Sequence, residues 1–234
     1  MKLRLLTAAL AATALLAGVA SAQDISSDKG KLSYYFGYQT GNNLAELAGR
    51  GEQIDVASVI KGLQDAYGKK DPAIKVDQLR PAVEAFQKRE EARAQQAKAN
   101  YDKAAAENLA KSNTFIGQYR SQAGVKTLPS GALYKVLTNG SGAKPNMASM
   151  VQLQVSGPFP WGQRPAQAQP AQTMPAMKLS AVEMPAMRDV LAQMPAGSKW
   201  EIALPPDKAY GADPRTGFPP NVAVVFEVSL VSVK

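Results

Sequence analysis

The sequence predicts an α+β chain: a small helical body, one long helix, and an antiparallel sheet wrapped on a short helix. Three observations carry this. Residues 81–118 read PAVEAFQKREEARAQQAKANYDKAAAENLAKSNTFIGQ, rich in Ala, Glu, Gln, Lys and Arg, with a single glycine next to its end and proline only at the start. Those residue types lose least on entering a helix. Before that stretch, apolar residues recur at helical spacing; after residue 123 they alternate as in half-buried strands. The organisation expected is an export segment 1–22, a helical body 23–80, a connecting helix 81–122 and a sheet domain 123–234.

Residues 1–22 have a basic start (Lys2, Arg4), an apolar run from Leu5 to about Val19 and a small-x-small site at Ala20-Ser21-Ala22. That pattern predicts a cleaved signal peptide with Gln23 as the mature first residue and a periplasmic destination. The run is short for a membrane span, which takes about 20 apolar residues, so no span is expected after cleavage.

In the helical body, residues 24–30 (DISSDKG) supply caps. Leu32, Tyr35, Tyr38, Leu44 and Leu47 give an irregular apolar face to a helix over about 28–48, ended by Gly51. Asp55 is a good N-cap for a second helix. Val56, Val59, Ile60, Leu63 and Tyr67 follow at helical spacing, with Gly68 as the stop. Leu79, Val83 and Phe86 put an apolar stripe on the start of the long helix, and Pro81 opens that helix or sits in its first turns. Two short helices and one end of a third make a very small core, which self-association would complete. A homodimer through residues 24–86 is the expectation.

The long helix would span roughly 60 Å. From Lys88 to Lys111 nothing larger than Ala is apolar except Tyr101 and Leu109. A helix polar all round is expected to bridge two bodies rather than pack.

Beyond it, Gly124 and Pro129-Ser130-Gly131 mark a linker and turn. Strands are predicted at Leu133–Leu137, at Val151/Leu153/Val155, and at Trp200/Ile202/Leu204. A fourth, final strand places Val222, Val224, Phe226, Val228 and Leu230 on one face. One short helix fits around residues 187–193. The stretch 158–178 is rich in Pro, Gln and Ala and lacks periodicity, and its prolines argue against a regular strand. It reads as a mobile surface loop or as a flap over a methionine-lined groove. Trp161 discriminates: exposed it would be a contact site, buried it could plug a pocket.

The chain has 234 residues and a formal net charge of +8, with 45% hydrophobic residues, no Cys and no His. The hydrophobic content supports real cores. Absence of Cys and His excludes thiol nucleophiles, Ser-His-Asp triads and the usual zinc ligand sets. The basic excess is scattered, without a run that would favour nucleic acid. No cofactor and no metal are implied.

Three segments, LPSGALYKVLTNGSGAKP, LAQMPAGSKWEIALPPDKAYG and FPPNVAVVFEVSLVSVK, resemble the FKBP-type peptidyl-prolyl isomerases. LSYYFGYQTG, VIKGLQDAYGKK and AFQKREEA resemble the N-terminal domain of the dimeric Mip/FkpA branch of that family. The resemblance covers roughly residues 28–234. It implies a helical dimerisation domain, a long connecting helix and a C-terminal FKBP-like domain that acts on unfolded or proline-containing polypeptides.

That reaction needs neither nucleophile nor proton shuttle. The X–Pro bond crosses a barrier of about 18–20 kcal/mol because amide resonance must be broken. A dry, aromatic-lined pocket helps if it binds the twisted amide better than either planar state. The resemblance places Tyr210, Phe218, Phe226, Val155, Met177, Met184 and Met187 around such a pocket. Much of the rim differs from the family. HYTG reads QVSG, so Val155 stands for Tyr. Pro165 and Ala166 fall where a Phe-Asp pair is usual, and Met177 where a further Phe is usual. VIPGW reads Glu183-Met184-Pro185-Ala186-Met187, so Met replaces the Trp floor and Glu183 adds a charge at the edge. Met174 and Met194 lie near the same positions. No residue stands out as catalytic. Three functions compete: an exported isomerase of degraded pocket, a non-catalytic dimeric holdase, and a partner-binding scaffold. Tyr210 and Phe226 also suit purely structural roles, at a turn and in the core.

Overall fold

The protein is described by a computed structural model covering residues 24–167 and 169–234. The predicted export segment lies outside the described residues. The chain divides into two compact units after Ala82.

The first unit holds α1 (Asp28–Gly49) and α2 (Val56–Tyr67), and α3 (Val76–Arg120) begins in it. The caps follow the sequence. Ser27 Oγ accepts from the Gly30 amide, and the Asp55 carboxylate accepts from the Ala57 amide. Gly51 ends the α1 turn at positive φ, and Gly68 caps α2. Pro81 lies inside α3, which starts five residues earlier. Neither α1 nor α2 buries a single apolar side chain. Val56, Ile60, Leu63 and Tyr67 share one face of α2, and each is 50% or more exposed. Leu32, Tyr34, Tyr35, Phe36 and Tyr38 of α1 are exposed as well.

The second unit is one antiparallel sheet with the remainder of α3. Its strands are β1 (Val125–Thr127), β2 (Leu133–Thr138), β3 (Met150–Pro160), β4 (Gln172–Thr173), β5 (Met177–Lys178), β6 (Lys199–Leu204) and β7 (Val224–Val233). The order is β1-β2-β6-β7-β3-β4, with β5 also on β3. The helix α4 (Pro185–Leu191) packs on the inner face. It starts two residues before the predicted position because Pro185 takes the first turn, where a missing N–H costs least. Period-two alternation sorts the faces. Trp200, Ile202, Leu204, Val224, Phe226, Val228 and Leu230 join Ala186, Met187, Val190 and Leu191 in the main core. Leu133, Ala203, Ala223 and Val225 face the other way.

That second face is covered by the end of α3, and here the expectation of a purely bridging helix is corrected. Tyr101, Ala104, Ala105, Asn108, Ser112, Phe115, Ile116 and Tyr119 recur at helical spacing and are buried or half-buried. Ile116 and Tyr119 complete a smaller core with Leu133, Ala203, Ala223 and Val225. Much of the seam is fastened by hydrogen bonds to main chain. The Tyr101 hydroxyl donates to Ala212 O (2.8 Å) and Asn108 Nδ2 to Pro220 O (2.9 Å). Asn221 Nδ2 donates back to Ala105 O (3.2 Å). A stripe of small and polar residues joined in this way escapes a reading based on apolar periodicity.

Candidate functional site: a methionine-walled cavity

The inner face of β3 and β7, α4 and the approach to it enclose a cavity of about 420 Å³. Alternation puts Leu153 and Val155 of β3 and Phe226 and Val228 of β7 on its sheet side. Met184, the N-cap of α4, and Met187, one turn on, share a helix face and line it too. Met174 and Met177 come from the β4–β5 segment, tied to β3 by the bond from the Met174 amide to Leu153 O (2.9 Å) and by the pairing of Met177 with Val151. Among the described residues Glu183 is the only charged one on the lining, and it is exposed.

Of the residues picked from the sequence, Val155, Met177, Met184, Met187 and Phe226 meet around this cavity. Tyr210 and Phe218 do not line it. Their rings stack on each other, 4.4 Å between centroids, half-buried against the same core. Burial, and then the negative charge of Glu183, push the Tyr210 phenol above its ordinary pKa. Among the described residues Phe226 is the one aromatic ring on the lining. Leu153, Leu191 and Val228 also line it; strand alternation for the first and last, and helix spacing for Leu191, read only as core and gave no site signal.

The loop reading of 158–178 is corrected at its ends, where residues 158–160 belong to β3 and the short β4 and β5 pair with it. β3 continues through the prolines to Pro160 and pairs with β7 across a register shift between Ser156 and Phe159. Gly157 makes this possible: its φ is +116°, and a Cβ there would lie 2.8 Å from Val225 O. Pro158 and Pro160 sit at the irregular end of the ladder. Trp161 is neither exposed nor a plug for the cavity. It is half-buried against α3, with Nε1 donating to Ser112 Oγ (2.9 Å) and the Lys111 ammonium over its ring. Pro165 and Ala166 line a wider, more polar hollow of about 1090 Å³ under the same segment. Its charged groups are spent on one another, which leaves the methionine-walled cavity as the better candidate for an apolar ligand.

That pairing solves a problem set by the sheet. Glu201 and Glu227 are cross-strand partners, and like charges directly opposite repel. Arg164 bridges them, at 2.7 Å from Glu201 Oε2 and in contact with Glu227, and Lys199 adds a second bond to Glu227 at 2.5 Å. Burial alone would raise the Glu227 pKa; the Lys199 hydrogen bond and the Arg164 and Lys199 charges outweigh it and hold the carboxyl below its usual value. Tyr119 donates to Glu201 Oε1 (2.8 Å). Its burial, with the hydrogen bond and charge of Glu201, raises the phenol far above the ordinary value. A raised folded-state pKa means the stabilisation is complete below the unfolded value of about 10 and is lost as pH climbs beyond it. Urea midpoints between pH 8 and pH 11 should therefore fall more steeply for the native chain than for Tyr119→Phe. Equal slopes would show that the buried phenol is not the titrating group.

Residues 29–136 match the family described as the domain amino-terminal to FKBP-type peptidyl-prolyl isomerase, and residues 144–231 match the FKBP-type peptidyl-prolyl cis-trans isomerase family. The outer membrane protein MIP of Legionella longbeachae is 34% identical over 100% of this chain and 99% of its own length. The chain belongs to the FKBP-type peptidyl-prolyl isomerases. Another member of this FKBP family, the peptidyl-prolyl cis-trans isomerase Mip of Coxiella burnetii, is 31% identical over 92% of this chain and 90% of its own length. The crystal structure of FkpA from Escherichia coli superposes with a TM-score of 0.55 at 28% identity, covering 89% of this chain and 97% of that one. The helical N-terminal part, the long helix and the antiparallel sheet are thus those of an FKBP-type protein of the Mip/FkpA kind. Among the described residues no helix is long and apolar enough to cross a membrane.

Proposed function

We propose that this chain is an exported folding assistant that grips prolyl segments of unfolded polypeptides in the methionine-walled cavity and isomerises them slowly. The observation that carries this reading is an open cavity on an FKBP framework with a single aromatic ring, Phe226, on its lining. An apolar pocket of this kind still shelters a prolyl ring from water. Isomerisation asks for more, because rate is gained only from contacts that favour the twisted amide over the planar one. Thioethers on flexible stems supply adaptable packing rather than a rigid wall. Two copies joined through their N-terminal units would present two such cavities to one client. Export of the chain by its N-terminal segment belongs to the same reading.

Protease-coupled isomerisation of an Xaa-Pro peptide tests it. The native chain should run above background, and Met187→Trp should raise kcat/KM about tenfold, equivalent to about 1.4 kcal/mol of barrier. A native rate at background would remove the catalytic part. Suppression of aggregation of an unrelated reduced protein would then favour the holdase reading.

A further inference from the structure

The cavity carries a pattern that prolyl binding does not require. The tetrapeptide Met-Pro-Ala-Met occurs twice, at 174–177 and at 184–187, and all four methionines line this one cavity. The whole chain has only eight. Two come from the β4–β5 segment and two from the entry to α4, so separate pieces of chain bring the same side chain to the same space. The space they surround, about 420 Å³, stays open, so the four thioethers do not close it by packing on one another.

We propose that the paired Met-x-x-Met segments form a site for a soft monovalent cation, Cu(I) or its analogue Ag(I), held by Met174, Met177, Met184 and Met187. Thioethers are poor ligands for hard ions and good ones for Cu(I). Three rotatable bonds in each side chain let the sulfurs converge from opposite walls. The Glu183 carboxylate on the lining offsets the single positive charge. Arg188, the neighbouring cation, is not on the lining and donates to the Val182 carbonyl (2.9 Å). With no Cys and no His anywhere in the chain, the thioethers are its only soft ligands. This site goes beyond the prolyl-binding reading and is measured without any peptide, so either can fail alone.

The test is titration of the full chain with Cu(I) under ascorbate and argon, in competition with bicinchoninate, followed by X-ray absorption at the copper edge. One Cu(I) per chain with sulfur neighbours is expected. Met184→Leu/Met187→Leu should weaken binding about 100-fold or more, because it removes half of the ligand set. Met147→Leu/Met150→Leu, at exposed positions outside the cavity, should leave it unchanged. Leu conserves volume at these sites, and circular dichroism of each variant checks the fold. No retention against the competitor overturns the proposal. So does binding that survives both the 184/187 and the 174/177 substitutions, or a copper edge with only light-atom neighbours.

Discussion

Ile60→Glu combined with Leu63→Glu should turn the proposed dimer into a monomer and strip helicity from α1 and α2. Both side chains lie on the exposed face of α2, at 50% and 54% exposure, between Val56 and Tyr67. A unit of this size with no apolar residue buried on either of its own helices cannot balance the entropy of ordering its chain. A second copy laid against that face would supply the missing area. Burying each side chain is worth about 1.5–3 kcal/mol, so losing two costs roughly 3–6 kcal/mol and weakens association by about 10² to 10⁴-fold. Sedimentation equilibrium reads the mass, and far-ultraviolet circular dichroism the helix content. A native chain that sediments as a monomer with full helicity at micromolar concentration would sink the idea. The second unit should keep its thermal transition in the variant, since its cores lie within residues 83–234.

Ser112→Ala should cost the second unit about 2–4 kcal/mol, through one hydroxyl. Ser112 is fully buried on α3. Its Oγ donates to Asn221 O (2.9 Å) and accepts from the Ala223 amide (2.8 Å) and Trp161 Nε1 (2.9 Å). One donor and two acceptors are all a hydroxyl has, and each is used. The deletion leaves the amide of fully buried Ala223 and the Trp161 indole N–H without their acceptor, and unpaired buried donors carry the full desolvation penalty. At roughly 2–4 °C per kcal/mol for a unit of this size, the melting temperature should drop by about 5–15 °C. Trp161 fluorescence should shift as its contact with α3 loosens. Ser121→Ala, which removes an exposed bond to Gln118 O, is the control and should stay within about 0.5 kcal/mol. A melting curve for Ser112→Ala that overlays the native one would show that the hydroxyl does not hold the three segments together.

The strands with clean alternation were legible in the sequence to within a residue or two: Leu133–Thr138, Lys199–Leu204 and Val224–Val233 each have one apolar face and a defined partner. So were the helices of the first unit, whose caps at Asp55 and Gly68 mark their own ends. β4 and β5, two residues each, were not legible, because they are held by β3 and not by their own composition. Five of the seven pocket residues meet at one cavity because strand alternation and helix spacing bring them there. Tyr210 and Phe218 stack beside it, an outcome set by the loop between β6 and β7, which has no periodicity to read. The place of Trp161 was hidden for a similar reason: its partner is a lone serine in a helix that looks polar throughout.

The closing turns of α3 double as a wall of the sheet domain. Excising that domain at its apparent boundary, near residue 123, would therefore strip the cover from Leu133, Ala203 and Val225 and leave a greasy outer surface prone to clumping. The smallest piece able to stand by itself reaches back to about Tyr101, whose hydroxyl holds Ala212. In this chain the sheet and its helical backing share one core, and the two would have to be transplanted as a single part.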